Sequence, residues 1–221
     1  TLKTGTLSHG QGHETVFTQM LCEKLGLELE VVNFVQGDTD QVPFGRGTYA
    51  SRSMTVGGNA LVAAADDIIQ NGKKFAAHYL EANPDDIEFE NGVFRIAGTD
   101  REINLEAVAK KSFAPMGNPA ELGIGLHGVG TFGITSPSLP NGCHICELEI
   151  DPDTGATEIV SYTVVDDIGR VLNPILAHGQ IHGGVAQGVG QALLEDMIYD
   201  RQSGQVLTGS FMDYGMPKAD N

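Results

Sequence analysis

The chain is poor in basic side chains. In its 221 residues, 13 Lys and Arg stand against 29 Asp and Glu, for a formal net charge of −16. A nucleic-acid partner needs a basic face to neutralise its phosphates, and an anionic membrane surface makes the same demand, so neither is expected. Cysteine is scarce too. Cys22, Cys143 and Cys146 are too few for a disulfide framework, and free thiols fit a reducing cytoplasm. No apolar run is long enough to span a bilayer, and no basic stretch followed by an apolar one opens the chain as a secretory leader would. The first residue is Thr1 rather than Met, so the sequence is expected to start inside a longer protein or after processing. Hydrophobic residues make up 41%, enough for a globular chain of one large or two small domains. An anionic ligand on so acidic a chain must be held by backbone amides and a few placed donors.

Several short patterns fail on their own mechanics. His13-Glu14 begins a zinc-helix motif, but Phe17 stands where the second His should be. Gly128-x-Gly130-x-x-Gly133 spells a dinucleotide fingerprint, yet the following stretch to Pro140 cannot be a helix, so a glycine-rich loop is expected. Asp151-Pro152-Asp153-Thr154-Gly155 has its glycine one position early for a calcium loop and reads as a hairpin turn. Cys143 and Cys146 lie three apart on an expected strand, which points them to opposite faces and prevents one metal from using both. His178 and His182 could share a metal across one helical turn, but no third ligand is placed with them.

Strand-like residues 2–7 lead into a helix over 14–25, where Val16, Phe17, Met20, Leu21 and Leu25 recur at helical spacing. A second strand is expected over 29–36 and a loop over 37–53. A mostly helical stretch over 54–81 should be kinked or interrupted at Asn71-Gly72. Residues 87–89 and 93–96 flank a hairpin turn, and Asn104 caps a short helix through Lys110. A Pro- and Gly-rich loop runs to Asn141, followed by a hairpin over 143–165, a helix from Pro174 to about Glu195, and a final hairpin over 197–208. Strands followed by helices in each half predict an α+β fold of two-layer α/β sandwich units. The expected division is a first unit over 1–113, a linker over 114–142 and a second unit over 143–221.

Two places invite a ligand. In Ser8-His9-Gly10-Gln11-Gly12-His13-Glu14-Thr15, glycines let the backbone approach a bound group, and the helix start offers unpaired N–H groups and the positive end of its dipole. That is an anion cradle suited to a cofactor phosphate, although a ligand-free strand-to-helix turn accounts equally well for this segment alone. Farther on, Gln180, Gln187 and Gln191 fall on one line of the helix from Pro174, beside Gly183, Gly184 and Gly188, and no charged residue stands between Val171 and Leu194. This line implies close approach by a polar ligand or by backbone.

The combination of motifs carries a resemblance. Gly10-Gln11-Gly12-His13-Glu14-Thr15 is followed by Gly37-Asp38-Thr39-Asp40 and by Pro43 through Ser53. Later come Asp166-Asp167-Ile168-Gly169-Arg170 through Pro174, Gly179 through Gly184, and Gly209-Ser210-Phe211-Met212-Asp213-Tyr214. In this order and spacing they resemble the molybdenum-cofactor-binding large subunit of the xanthine dehydrogenase/aldehyde oxidase family, and within it the aerobic carbon monoxide dehydrogenase type. The resemblance runs over essentially the whole chain. It implies a molybdenum–molybdopterin cofactor, in bacteria the cytosine dinucleotide form. It also implies oxidative hydroxylation with water-derived oxygen, iron–sulfur and FAD partner subunits, a homodimeric assembly of the large subunit, and a cytoplasmic location. Gln11, Gly12, His13 and Thr15 fall on the segment that contacts pterin and dinucleotide. Ser51 and Ser53 match the second dinucleotide contact, and Gln180 matches a glutamine near the metal's dithiolene end. No residue of this chain matches a catalytic or metal-ligating one.

The family's glutamate base lies in a Gly-Glu motif downstream of the match to Pro217-Lys218-Ala219-Asp220, and this sequence stops at Asn221. The upstream loop that faces the metal is not in it either. The chain is therefore expected to be a fragment, inactive alone and holding no cofactor in isolation, with carbon monoxide, aldehydes and N-heterocycles all open as substrates of the whole enzyme. The competing expectation is a non-catalytic α+β scaffold or interaction module that kept the fold without the cofactor. A weaker one is a metal-binding protein using His9, His13, His178 or His182. The strand geometry predicts that Cys143 and Cys146 bind no metal; stoichiometric zinc or iron that vanishes in Cys143→Ser would show the strand assignment to be wrong.

Overall fold

Strand β1 (Leu2–Thr4) pairs in parallel with β2 (Phe34–Gln36), placing Thr4 opposite Gln36. Parallel neighbours need a crossover, and helix α1 (His13–Leu25) supplies it. In this computed structural model, which describes residues 1–114, 116–136 and 139–219, both strands are shorter than the sequence suggests. β1 stops because the Gly5 carbonyl is taken by Gly47 N–H (3.2 Å) rather than by a sheet neighbour. β2 starts late because Leu29–Val31 closes a 3-10 turn. The apolar face of α1 is as expected: Val16, Phe17, Leu21 and Leu25 are buried, and Met20 packs at the margin.

A π-helical turn (Ser53–Gly58) leads into helix α2 (Asn59–Leu80). The interruption expected at Asn71-Gly72 does not occur. Gly72 is buried there because the ring of Phe94 lies against it, and an added Cβ would strike that ring. The glycine serves packing, and the helix tolerates it. Phe94 belongs to an antiparallel sheet of β3 (Ile87–Glu90), β4 (Val93–Ile96) and β5 (Glu102–Asn104), with Asn91-Gly92 as the two-residue turn. Helix α3 (Leu105–Ser112) starts where Asn104 Oδ1 accepts from Ala107 N–H at 2.7 Å, the cap expected from the sequence. Phe17, Phe75, Ile87, Phe94 and Val108 are at most 1% exposed and form the centre of one core. Burying each contributes about 1.5–3 kcal/mol. The exposed Lys24–Asp66 pair (2.7 Å) between α1 and α2 adds little beside that.

The glycines of residues 128–130 have a mechanical reason. The irregular stretch around them lies directly on α2: a Cβ at Gly130 would strike the backbone of Ala60 and Ala64, and one at Gly128 would stand 2.6 Å from Ile68 Cγ1. Val129 N–H donates to Asp67 Oδ2 at 3.2 Å. The fingerprint spelled there marks a backbone crossing a helix, not a nucleotide loop. Pro115, Pro137 and Ser138 of the expected loop lie outside the described residues.

Strands β6 (Asn141–Ile150) and β7 (Thr157–Asp167) make the expected hairpin, bulged between Glu147 and Leu148. Asp151 Oδ1 accepts from Asp153 N–H (2.9 Å) and Thr154 N–H (2.7 Å), which closes the turn. The ribbon is exposed on both faces, with Ile145, Ile150 and Val165 each at least 60% open. Cys143 and Cys146 are exposed on it, whereas Cys22 is buried in α1.

The described chain clusters into units 1–169 and 170–221. In the second, helix α4 (Pro174–Leu193) opens with Asn173 Oδ1 accepting from Leu176 N–H (3.1 Å) and Pro174 in the first turn. The final hairpin contracts to a single bridge, Tyr199 with Val206, because the Thr208 hydroxyl takes the Ile198 N–H (3.0 Å) that a longer ladder would use. Tyr214 Oη donates to Glu195 Oε2 (2.6 Å). Mixed helices and short sheets bear out the α+β expectation. No helix among the described residues is long and apolar enough to cross a membrane.

The crossing at Gly130 predicts an asymmetry between two glycines. Gly130→Ala drives a Cβ into helix backbone and should lower stability by about 1–3 kcal/mol. Gly133→Ala meets nothing within 4 Å and should leave the melting temperature nearly unchanged. Equal melting temperatures for the two variants would remove this packing role.

Candidate functional site

The carboxyl ends of β1 and β2 and the N-terminus of α1 converge on one place, residues 5–13. Gly12 starts α1 in the left-handed conformation (φ 76°) and offers no side-chain cap. The first bond of the helical ladder is Val16 N–H to Gly12 O (3.1 Å), so the amides of His13, Glu14 and Thr15 lie outside it. With the helix dipole behind them, they form a site suited to a negative group.

A second loop meets this one. Gly5 and Gly45 pass with so little space that a Cβ on Gly45 would stand 2.6 Å from Gly5 Cα, and one on Gly5 2.7 Å from Gly45 Cα. The Thr48 hydroxyl then spans the two loops: it accepts from Leu7 N–H (3.2 Å) and lies 2.8 Å from Ser53 Oγ. Just after Ser53, the π-helical turn packs under the first loop, where a Cβ on Gly57 would stand 2.8 Å from the Thr6 methyl. Ala50 and Ser51 both hold positive φ (50° and 53°), an unfavourable conformation for residues with side chains and one often held at functional sites. Arg52 stacks over Tyr49, its guanidinium 4.7 Å from the ring centre.

Of the residues singled out in the sequence, Gln11, Gly12, His13, Thr15, Ser51 and Ser53 thus share one region of the first unit. Thr15 and Ser51 are exposed, Ser53 is half-buried, and His13 is buried. Gln11 turns back on its own loop: its Oε1 accepts from His9 N–H, and its Nε2 donates to Leu7 O (3.3 Å). Gln180 is in the second unit, exposed on α4 in line with Gln187 and Gln191, while Ile181, Val185 and Val189 form the half-buried stripe beside them.

Gln36, Thr6, Thr48, Gly5 and Gly45 were not read as site residues. Gln36 ends a three-residue strand and has no local signature; its role arises only when β2 pairs with β1. Its Oε1 accepts from Ser8 N–H (2.9 Å), and its Nε2 reaches Thr6 Oγ1 (2.9 Å) and His13 Nδ1 (3.0 Å). The other ring nitrogen, His13 Nε2, is enclosed and has no hydrogen-bond partner among the described residues. Such an orphan in a buried side chain calls for an explanation. Burial and, secondarily, the nearby His9 push the His13 pKa below the ordinary imidazole value.

The polar groups fit a phosphate-bearing ligand: helix-start amides, the hydroxyls of Ser8, Thr15, Ser51 and Ser53, and one unpartnered imidazole nitrogen. No group of three or more potential metal ligands occurs among the described residues.

Comparison with known proteins identifies the family of the chain. The family described as "Molybdopterin cofactor-binding domain" matches residues 1–221. The chain is 38% identical over 221 residues to the gamma subunit of the 6-hydroxypseudooxynicotine dehydrogenase complex of Paenarthrobacter nicotinovorans, covering 99% of this chain and 28% of that one. It is 37% identical over 218 residues to the carbon monoxide dehydrogenase large chain of Hydrogenophaga pseudoflava, covering 98% and 27%. Among solved structures, the Cu,Mo carbon monoxide dehydrogenase in its carbon monoxide-reduced state superposes with a TM-score of 0.87 at 35% identity, covering 99% of this chain and 27% of that one. Quinoline 2-oxidoreductase of Pseudomonas putida 86 gives 0.83 at 36%, covering 98% and 28%. The chain thus spans little more than a quarter of each relative's length.

The lowered pKa makes a testable prediction. Between the folded value and the unfolded value of about 6.5, the unfolded chain binds the extra proton, so this group's contribution to stability falls as pH drops through that window. A His13→Gln variant should lose that acid-sensitive component. An imidazole titration that places His13 at or above the ordinary value would contradict its burial.

Proposed function

The chain belongs to the molybdopterin cofactor-binding domain family, and on that premise we propose that it is the cofactor-binding segment of a molybdenum hydroxylase large subunit of the carbon monoxide dehydrogenase type. The observation that carries the reading is the junction of two loops at the start of α1, where unpaired amides, clustered hydroxyls and the unpartnered His13 Nε2 face a common need for an acceptor. Gln11, Gly12, His13, Thr15, Ser51 and Ser53 would hold the phosphates of a dinucleotide form such as the cytosine one. Gln180 would serve the pterin end. The chemistry such a cofactor supplies when bound is oxidative hydroxylation with water-derived oxygen, its electrons passing to iron–sulfur and FAD partners. This chain's part would be to bind and orient. Its neutral donors suit the task on a chain of net charge −16, since they bind an anion without a basic field.

The gamma-subunit and large-chain names of the relatives support a place in a multi-subunit dehydrogenase. The open faces of β6–β7, with Ile150 64% and Val165 70% exposed, are the kind of apolar surface that such neighbours cover. Carbon monoxide, an aldehyde or an N-heterocycle all remain within the proposed substrate class.

The test is native purification of the complete polypeptide that carries this segment, with molybdenum and released cytidine nucleotide both measured. Both should be present near one per chain. On this reading Gln180→Ala would remove a hydrogen bond near a charged or metal-linked group, worth roughly 1.5–3 kcal/mol, so occupancy or turnover should fall about tenfold or more while the melting temperature holds. Absence of both analytes from the wild-type protein would favour a scaffold that kept the fold alone. An unchanged Gln180→Ala protein would reduce the glutamine line of α4 to packing.

A further inference from the structure

We propose that Gln36 is the positioning residue of this site: its single amide group pins the first loop at Ser8 and fixes His13 as the tautomer that carries its proton on Nε2. The inference rests on reading the loop as a phosphate site, but its central claim concerns residues that the structure shows directly.

The hydrogen bonds leave one solution. Ser8 N–H can only donate, so the atom of Gln36 facing it (2.9 Å) must be the carbonyl oxygen. The amide nitrogen therefore faces the other side, where its two hydrogens are directed to Thr6 Oγ1 (2.9 Å) and His13 Nδ1 (3.0 Å). An amide nitrogen cannot accept, so His13 Nδ1 must. A neutral imidazole that accepts at Nδ1 carries its proton on Nε2. The ring is kept neutral by burial, as its lowered pKa indicates, and is held in place by stacking on Phe17 with centroids 5.1 Å apart. Nε2–H is then a fixed donor, and it is the buried polar atom left without a partner.

Geometry makes the arrangement rigid. Gln36 stands at the last position of β2, in register with Thr4 of β1, and Thr4 Oγ1 lies 3.1 Å from Thr6 Oγ1. Thr6 is 8% exposed and Gln36 is half-buried. The strand pairing thus sets the amide, the amide sets the imidazole, and the same amide holds the backbone one residue before His9-Gly10-Gln11-Gly12. A side chain of the same length without the amide keeps the packing and loses all three bonds.

The experiment uses the complete polypeptide labelled with 15N at histidine and observed by solid-state NMR, with the His13 signals assigned by their loss in His13→Gln. The expected wild-type result is a bare Nδ1 and a protonated Nε2. Gln36→Met should abolish that preference and lower retention of cytidine nucleotide about tenfold or more through a desalting column. Gln36→Glu can still accept from Ser8 N–H, but it offers His13 an acceptor, so it should place a proton on Nδ1 and raise the imidazole pKa. A protonated Nδ1 in the wild-type protein overturns the proposal, as does a His13 spectrum unchanged in both Gln36 variants. Should Gln36→Met fail to fold, Gln36→Glu alone decides the tautomer claim. A wild-type protein free of molybdenum and cytidine nucleotide but showing the expected tautomer would sink the cofactor reading and leave Gln36 as the residue that sets His13.

Discussion

Gly5 and Gly45 touch backbone to backbone, and the site depends on that contact. A methyl on either residue would stand within 2.7 Å of the other's Cα, so any side chain there would force the loops apart. With the loops together, Gly47 N–H can reach Gly5 O (3.2 Å), and the Thr48 hydroxyl can serve Leu7 N–H on one side and Ser53 on the other. The start of α1 and the π-helical turn before α2 are thereby brought to one locus. Each helix is anchored in the core by its own aromatic contact, Phe17 for α1 and Phe75 for α2. The loops are thus a cradle set on two fixed supports, the arrangement in which a binding site is most accurately held.

The acidity of the chain explains the choice of donors. A net charge of −16 works against any anion approaching from solvent. Around the loops, beside the cationic Arg46 and Arg52, the groups offered are neutral amides and hydroxyls and an imidazole kept neutral by burial. Hydrogen bonds from such groups to a charged oxygen act at short range and are strong where water is excluded. The orphaned Nε2 of His13 then represents a cost borne by the protein alone, and a ligand oxygen that accepted from it would recover that cost. An unsatisfied buried donor costs about 1–3 kcal/mol, so filling it favours the occupied state by an amount useful for affinity.

The elements with strong local signals were legible in the sequence. The apolar spacing of Val16, Phe17, Leu21 and Leu25 marked α1, Asn104 marked the start of α3, Pro174 marked the start of α4, and Asp151 through Gly155 marked the turn between β6 and β7. Features decided by a distant partner were not legible. Gly72 looked like a helix breaker because Phe94, which fills its face, lies on another element. Gly128 and Gly130 read only as part of a glycine-rich loop, because close backbone approach needs glycine whether the neighbour is a phosphate or, as here, a helix. Strand β1 is shorter than its sequence suggests for the same reason: Gly47 N–H, far along the chain, claims the Gly5 carbonyl.

The site divides along the same line. Gln11, Gly12, His13 and Thr15 announce themselves by the glycines around them and the helix that follows. Gln36 is an ordinary polar residue at the end of a weak strand, and nothing near it in sequence suggests a role. Only the parallel register, Thr4 against Gln36, brings its amide to Ser8, Thr6 and His13 at once. Local sequence specifies the groups that could meet a ligand, whereas their protonation and aim are set by residues that arrive through tertiary pairing. The conformational constraint on His13 is accordingly greater than its own motif implies, because the ring is stacked on Phe17, buried from water and read at Nδ1 by a single amide with no alternative orientation.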